Sequence, residues 1–142
     1  MIIDHIGIAV RSLDDAIRQW ETVFAYRRMT EPVVNTRQKV RVVFLHKEGS
    51  VGVKLIEPTD ETSPIFEFAK RGGGLHHLCF KCENLANEME RMEALGLRVL
   101  AAPQPGEAFE NEKIAFVYAG HGLNIELVDT DKRAARRPVQ SP

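Results

Sequence analysis

The chain is short of most features that would mark a specialised class of protein. Its 142 residues include two cysteines, one tryptophan and two tyrosines. Two cysteines cannot staple a disulfide scaffold. Neither sign of charge dominates: 19 Lys and Arg against 20 Asp and Glu leave a formal net charge of -1. A global basic footprint for nucleic acid is therefore missing. No apolar run approaches the roughly 18 residues of a membrane span. The start, Met1-Ile2-Ile3-Asp4-His5, lacks the charged n-region and apolar h-region of a signal peptide. These absences predict a cytoplasmic protein with no membrane and no nucleic-acid partner. What is present is 44% hydrophobic and 27% charged residues, the mix of one globular domain able to bury a real core.

The two cysteines, Cys79 and Cys82, are spaced as C-x-x-C. A zinc knuckle or redox pair would need more context. There is no second C-x-x-C, and Leu78-Cys79-Phe80 reads as a strand, where residues three apart face opposite ways. Two reduced thiols are the expectation.

Residues 2–10 alternate as a strand, with Ile6, Ile8 and Val10 on one face and His5, Gly7 and Ala9 on the other. Ser12 offers an N-cap to an amphipathic helix carrying Leu13, Ala16, Ile17, Trp20 and Phe24. Strands are expected near 26–34, 39–46 and 51–57. Ser63-Pro64 opens a short helix that Gly72-Gly73-Gly74 ends. A second strand begins at His76-His77-Leu78-Cys79-Phe80, and Asn84 caps a helix with Leu85, Met89, Met92 and Leu95. Strands then follow near 97–101, 112–118 and 123–129, with 102–111 as a loop because of Pro103 and Pro105. Residues 132–142, with Lys132, Arg133, Arg136 and Arg137, read as a basic flexible tail.

The second half repeats the first at an offset of 72: His5 falls on His77, Leu13 on Leu85, Glu21 on Glu93, Phe44 on Phe116 and Leu55 on Leu127. The expected organisation is one domain, with module one at 1–58, a linker at 59–74 and module two at 75–131. Two such copies about a pseudo-twofold axis bring equivalent positions together. His5 and His77 should face each other, and the last strand of each module should complete the site with Lys54 and Glu126. Two imidazoles and a carboxylate suit a divalent first-row metal, and three protein ligands leave positions for water or substrate. The other reading is a pair of hydrogen-bonded strand histidines beside a Lys54–Glu126 ion pair.

Five stretches carry a resemblance: Asp4-His5-Ile6-Gly7-Ile8-Ala9-Val10, Leu55-Ile56-Glu57-Pro58 running to Ser63-Pro64-Ile65, Gly74-Leu75-His76-His77-Leu78-Cys79-Phe80, Lys113-Ile114-Ala115-Phe116 and Leu123-Asn124-Ile125-Glu126-Leu127. Together they resemble the vicinal oxygen chelate superfamily, the glyoxalase and bleomycin-resistance fold. Within it they are most similar to methylmalonyl-CoA epimerases and small bacterial glyoxalase-I-like proteins. The resemblance covers residues 2–130. It implies an α+β fold of two tandem βαβββ modules forming a cup, one divalent metal ion (nickel, cobalt, zinc, manganese or iron), and His5, His77 and Glu126 as its ligands. Of the adjacent histidines, the repeat selects His77, and His76 should point to the opposite face.

Lys54 departs from the family pattern, which usually carries a Gln or Glu ligand there. An ammonium has no lone pair to offer a metal. Three outcomes are open: Lys54 turns away or deprotonates, it replaces the metal as the cation, or the site is a binder's. Residues 40–44 also lack the second acid that epimerases tend to carry in this strand. Arg41 and Tyr118 are candidate substrate contacts at the rim, with Arg37 as a further one; solvated arginines at a strand edge are the plainer reading.

The expected function is a metal-dependent isomerase or lyase that abstracts a proton alpha to a metal-bound carbonyl, with Glu126 as ligand and base and Lys54 beside it. The substrate would be a small acyl thioester or a thiol-derived hemithioacetal. Two alternatives are a non-catalytic small-molecule binder of resistance type and a ferrous ring-cleaving dioxygenase. A homodimer is the assembly the resemblance implies.

Overall fold

A computed structural model describes residues 1–138 of the chain. The first half runs β1 (Ile2–Ala9), α1 (Leu13–Val23), β2 (Arg27–Arg28), β3 (Val33–Asn35), β4 (Val40–His46) and β5 (Gly52–Pro58). A short helix α2 (Phe66–Lys70) leads to the second half: β6 (Gly74–Lys81), α3 (Leu85–Ala94), β7 (Arg98–Pro105), a single 3-10 turn (Glu107–Phe109), β8 (Lys113–Tyr118) and β9 (Asn124–Val128). The architecture is α+β, a single open sheet of nine strands matching the expected glyoxalase-type fold.

The strand order is β2-β4-β5-β1-β6-β9-β8-β7, with β3 also paired to β4. Each first strand is parallel to its own half's last strand, β1 to β5 and β6 to β9. The halves join through one antiparallel seam, β1 against β6.

Period-2 alternation sorts the side chains. On the outer face, Leu13, Ala16 and Ile17 of α1 pack on Val43, Leu45, Val53 and Leu55. Leu85, Met89 and Met92 of α3 pack on Ala115, Val117, Ile125 and Leu127 in the same way. Each fully buried Leu or Ile stabilises the fold by about 1.5–3 kcal/mol. The helices begin where expected: the Ser12 side chain accepts from the Asp15 amide and that of Asn84 from the Asn87 amide. The inner face of the curved sheet carries the third cluster, built from both halves: Val40, Val42, Phe44 and Ile56 with Cys79, Phe109, Ile114, Phe116 and Val128.

Three local expectations need correction. The strand expected at 26–34 is broken into β2 and β3, because Thr30 turns inward, is buried, and accepts from the Phe44 amide with its hydroxyl at 3.1 Å. The loop expected at 102–111 is strand as far as Pro105. β7 is an edge strand, where proline's missing N–H costs no ladder bond, and its register slips between Val99 and Ala101 and again before Gln104. The tail expected to be solvated packs back onto the fold. Arg133 is only 6% exposed, and Thr30 bridges to Arg136. The last expected tail residues, 139–142, lie outside the described residues. Cys79 and Cys82 are free, buried thiols, one in the inner cluster and one in an outer cluster. Among the described residues no helix is long and apolar enough to cross a membrane.

Candidate functional site

The inner faces of the four central strands each contribute one polar side chain. β1 gives His5, β5 gives Lys54, β6 gives His77 and β9 gives Glu126. Their exposures are 1%, 5%, 1% and 0%. The sequence expected these four residues to converge, and they do. His5 Nε2 lies 3.0 Å from Glu126 Oε1, His77 Nε2 lies 3.4 Å from the same oxygen, and the two Nε2 atoms are 3.4 Å apart. Lys54 Nζ stands 3.5 Å from the other oxygen, Glu126 Oε2. That contact is an ion pair without hydrogen-bond geometry, and Oε2 is buried with no hydrogen-bond partner.

Backbone register explains the convergence. His77 sits opposite Gly7 across the seam, and a Cβ at Gly7 would fall 2.1 Å from His77 Cε1. Only glycine leaves room for the ring there. At the equivalent place in the other half, His5 sits opposite Cys79. Aromatic rings wall the cup: His5 meets Phe44 edge-on at 5.3 Å between centroids, and His77 meets Phe116 at 5.8 Å. Phe109, delivered by the 3-10 turn, stacks toward His5 at 6.4 Å and lies beneath Lys54, whose Nζ is 5.2 Å from its centroid.

The electrostatics follow from this burial. Burial pushes the Glu126 carboxyl up, but the Lys54 ammonium 3.5 Å away and, after it, the two imidazoles against Oε1 outweigh burial, so the group stays well below its ordinary value. Burial pulls His77 down to about 4, with Glu126 opposing. It pulls His76 down as well, helped by Lys54. Burial raises the Cys79 thiol, and Glu126 and Asp4 add to the rise, so this thiol stays protonated and inert.

The donor set fits a divalent cation. Ligands bonded at about 2.1 Å to one metal stand about 3.0 Å apart in octahedral and 3.4 Å apart in tetrahedral geometry. The three observed spacings match that range, and the unpartnered Oε2 is the kind of buried atom a charge at this site would satisfy. Among the described residues, His5, His77 and Glu126 form one group able to hold a metal ion.

A family model matches residues 4–116 as the glyoxalase/bleomycin resistance protein/dioxygenase superfamily. The chain belongs to that superfamily. It is 36% identical to the uncharacterized protein YqjC of Bacillus subtilis over 130 residues, 89% of this chain and 91% of that one. It is 26% identical over 129 residues to the ethylmalonyl-CoA/methylmalonyl-CoA epimerase of Cereibacter sphaeroides, covering 88% of this chain and 95% of that one. Its structure is similar to a methylmalonyl-CoA epimerase variant of Streptomyces coelicolor solved with 2-nitronate-propionyl-CoA. The TM-score is 0.78 and the identity 30%, over 91% of this chain and 96% of that one.

Of the two candidate substrate contacts, one lies on the other face of the sheet. Arg41 is not in the cup. It alternates with the inner-facing Val40 and Val42, points to the helix side of β4 and pairs with Asp14 at 3.0 Å. Tyr118 shares the face of Phe116 but stands at the exposed end of β8, where its hydroxyl accepts from the Gly122 amide at 3.1 Å.

Three neighbours of the site were not expected there from sequence. Asp4 Oδ2 accepts from His5 Nδ1 at 2.7 Å, and Arg133 Nη2 donates to the same oxygen at 2.6 Å. His76, expected on the opposite face, shares a hydrogen bond between its Nδ1 and His77 Nδ1 at 2.8 Å. The seam register explains this reversal. It slips between Ile3 and His5 and between Gly7 and Ile8, which leaves Asp4 and His76 as the extra residues of two β-bulges. A bulge re-aims the side chain that alternation would send outward. A sequence signal existed for this pair, since Asp4 and His76 are themselves 72 apart. Arg133 had none.

Proposed function

We propose that this protein is a metal-dependent isomerase that abstracts and returns a proton alpha to the thioester carbonyl of a small acyl-CoA. The observation that carries the reading is the buried His5, His77, Glu126 triangle with the free Oε2 beside Lys54. A divalent cation held by the three ligands would polarise a substrate carbonyl as a Lewis acid. Glu126 Oε2 is the oxygen left to take the alpha proton. Lys54 supplies the second proton-carrying group that residues 40–44 lack: with the substrate's alpha carbon inserted between the two groups, its ammonium returns a proton to the face opposite Glu126, and once product leaves and the two close again to 3.5 Å it is recharged from Glu126. Over one turnover the two groups recover their starting charges. Phe44, Phe109 and Phe116 exclude water, which strengthens both charges at the moment of transfer. The similarity to methylmalonyl-CoA and ethylmalonyl-CoA epimerases supports an acyl-CoA over a hemithioacetal.

The test is exchange in D2O. Methylmalonyl-CoA incubated with metal-loaded enzyme should gain one deuterium at the alpha carbon, and Lys54→Met should slow it by at least 10²-fold. No exchange with any acyl-CoA, but exchange on the hemithioacetal of methylglyoxal, would replace isomerase by lyase. A second reading, a ligand binder without catalysis, draws support from the ion pair that Lys54 makes with Glu126, which satisfies the site's charge unaided. It requires that His5→Ala leave ligand affinity unchanged.

A further inference from the structure

The two histidines are held from behind by residues that the isomerase reading does not use. Asp4 and His76 occupy equivalent positions of the repeat, each immediately before its histidine, and each is the extra residue of a bulge in the β1–β6 seam. Each reaches the Nδ1 of that histidine, Asp4 at 2.7 Å and His76 at 2.8 Å. A ring whose Nδ1 carries the proton keeps its Nε2 lone pair free, and both Nε2 atoms point at Glu126.

The support behind Asp4 comes from the far end of the chain. Arg133 donates to Asp4 Oδ2, and its guanidinium packs over the rings of Phe44 and Phe109 at 4.8 and 4.6 Å. The segment is tied to the first half by bonds from the Glu31 amide to the Ala135 carbonyl and from the Arg137 amide to the Met29 carbonyl. A bond from the Ala134 amide to the Ala108 carbonyl ties it to the second. Residue 133 lies beyond the 4–116 matched by the family model.

We propose that Asp4 and His76 are positioning residues that hold the proton of His5 and His77 on Nδ1, leaving both Nε2 atoms to bind a cation, and that Arg133 fixes Asp4 for this task. The purpose rests on the metal-dependent reading above, but the geometry does not. The two supports differ in kind. A carboxylate only accepts, so Asp4 permits one arrangement of His5. His76 Nδ1 accepts only while its own proton is on Nε2, so the support for His77 is conditional.

The experiment uses the full chain and two readouts. Zinc affinity is measured by competition with a chromophoric chelator, and imidazole 15N–1H correlations are recorded on metal-free protein. Asp4→Ala should weaken zinc binding by about 10–100-fold, the usual cost of losing the partner behind a ligating histidine. Asp4→Asn should recover most of it, because the amide oxygen still accepts. His76→Ala should cost less than Asp4→Ala, and Arg133→Met, which keeps the packing over the rings, should weaken binding several-fold. In the spectra His5 and His77 should both carry a proton on Nδ1, and Asp4→Ala should change His5 alone. Wild-type zinc affinity in Asp4→Ala and His76→Ala, with unchanged imidazole patterns, overturns the proposal. So does an equal loss in Asp4→Asn, which would reduce the role to folding. If the wild-type chain binds none of zinc, nickel, cobalt, manganese or ferrous iron, the isomerase reading fails, and the metal-free spectra still decide whether Asp4 and His76 set the tautomers.

Discussion

The first half and the second half of this molecule build the same unit and use it differently. Each presents a histidine on its first strand and a polar side chain on its last, but the last-strand residue is a cation, Lys54, in one half and an anion, Glu126, in the other. Opposite each histidine the first half supplies Gly7 and the second Cys79. Behind each histidine stands a charged carboxylate in one half and a neutral imidazole in the other. Duplication therefore fixes where polar groups meet, and substitution within the copies fixes their chemistry. A symmetric pair of lysines or of glutamates would repel across the axis. The asymmetric pair neutralises itself in a place with almost no access to water.

The largest effect should come from removing the second half's charge. Glu126→Gln leaves the Lys54 ammonium buried without a counter-charge, which should cost on the order of 3–5 kcal/mol in urea unfolding, and zinc binding should be lost with it. Wild-type stability in this variant would show that Lys54 leaves the cup on its own.

Next comes the seam. Gly7→Ala places a methyl group on the His77 ring and should abolish metal binding, while Cys79→Ala at the equivalent position should keep it and cost only about 1 kcal/mol of stability. Equal effects at the two positions would break the comparison.

Lys54→Gln removes a positive charge beside the donor triangle and makes the first half resemble the family's usual ligand. Zinc affinity should rise at least tenfold by titration calorimetry, because the cation no longer meets like charge a few Å away.

The histidine and the carboxylates should also separate by pH in the metal-free protein. His77 binds its proton at about 4 when folded and near 6.5 when unfolded, so the unfolded chain holds more protons between these values. Stability should fall as pH drops from 6.5 to about 4, and His77→Gln should flatten that limb. Asp4 and Glu126 lie below their ordinary values, so their contribution is full above the ordinary carboxylate range and is lost as pH falls through their folded values. Urea midpoints against pH give both limbs.

The smallest effect is expected at Arg41. Its ion pair with the exposed Asp14 is on the helix side, and Arg41→Ala should change neither zinc affinity nor stability by more than about 0.5 kcal/mol.

The sequence made some of this legible and hid the rest for identifiable reasons. Alternation in β1 separated Ile6 and Ile8 from His5 and Gly7, and the 72-residue offset then paired His5 with His77 and Lys54 with Glu126. Both are local patterns set by the strand period. Arg41 was misplaced because Val40-Arg41-Val42-Val43-Phe44 is apolar on both faces, so periodicity does not say which face meets the helix. His76 was misplaced because a bulge breaks the period of two. Arg133 was missed because its partner Asp4 is 129 residues away and no local pattern encodes that contact.

The most direct test of the metal site is elemental analysis of tag-free protein beside a His77→Ala control. The wild type should carry close to one divalent first-row metal per chain and the control none. No metal in the wild type, even after incubation with nickel, cobalt, zinc or ferrous iron, would contradict this and leave Lys54 as the only cation among the four converging side chains.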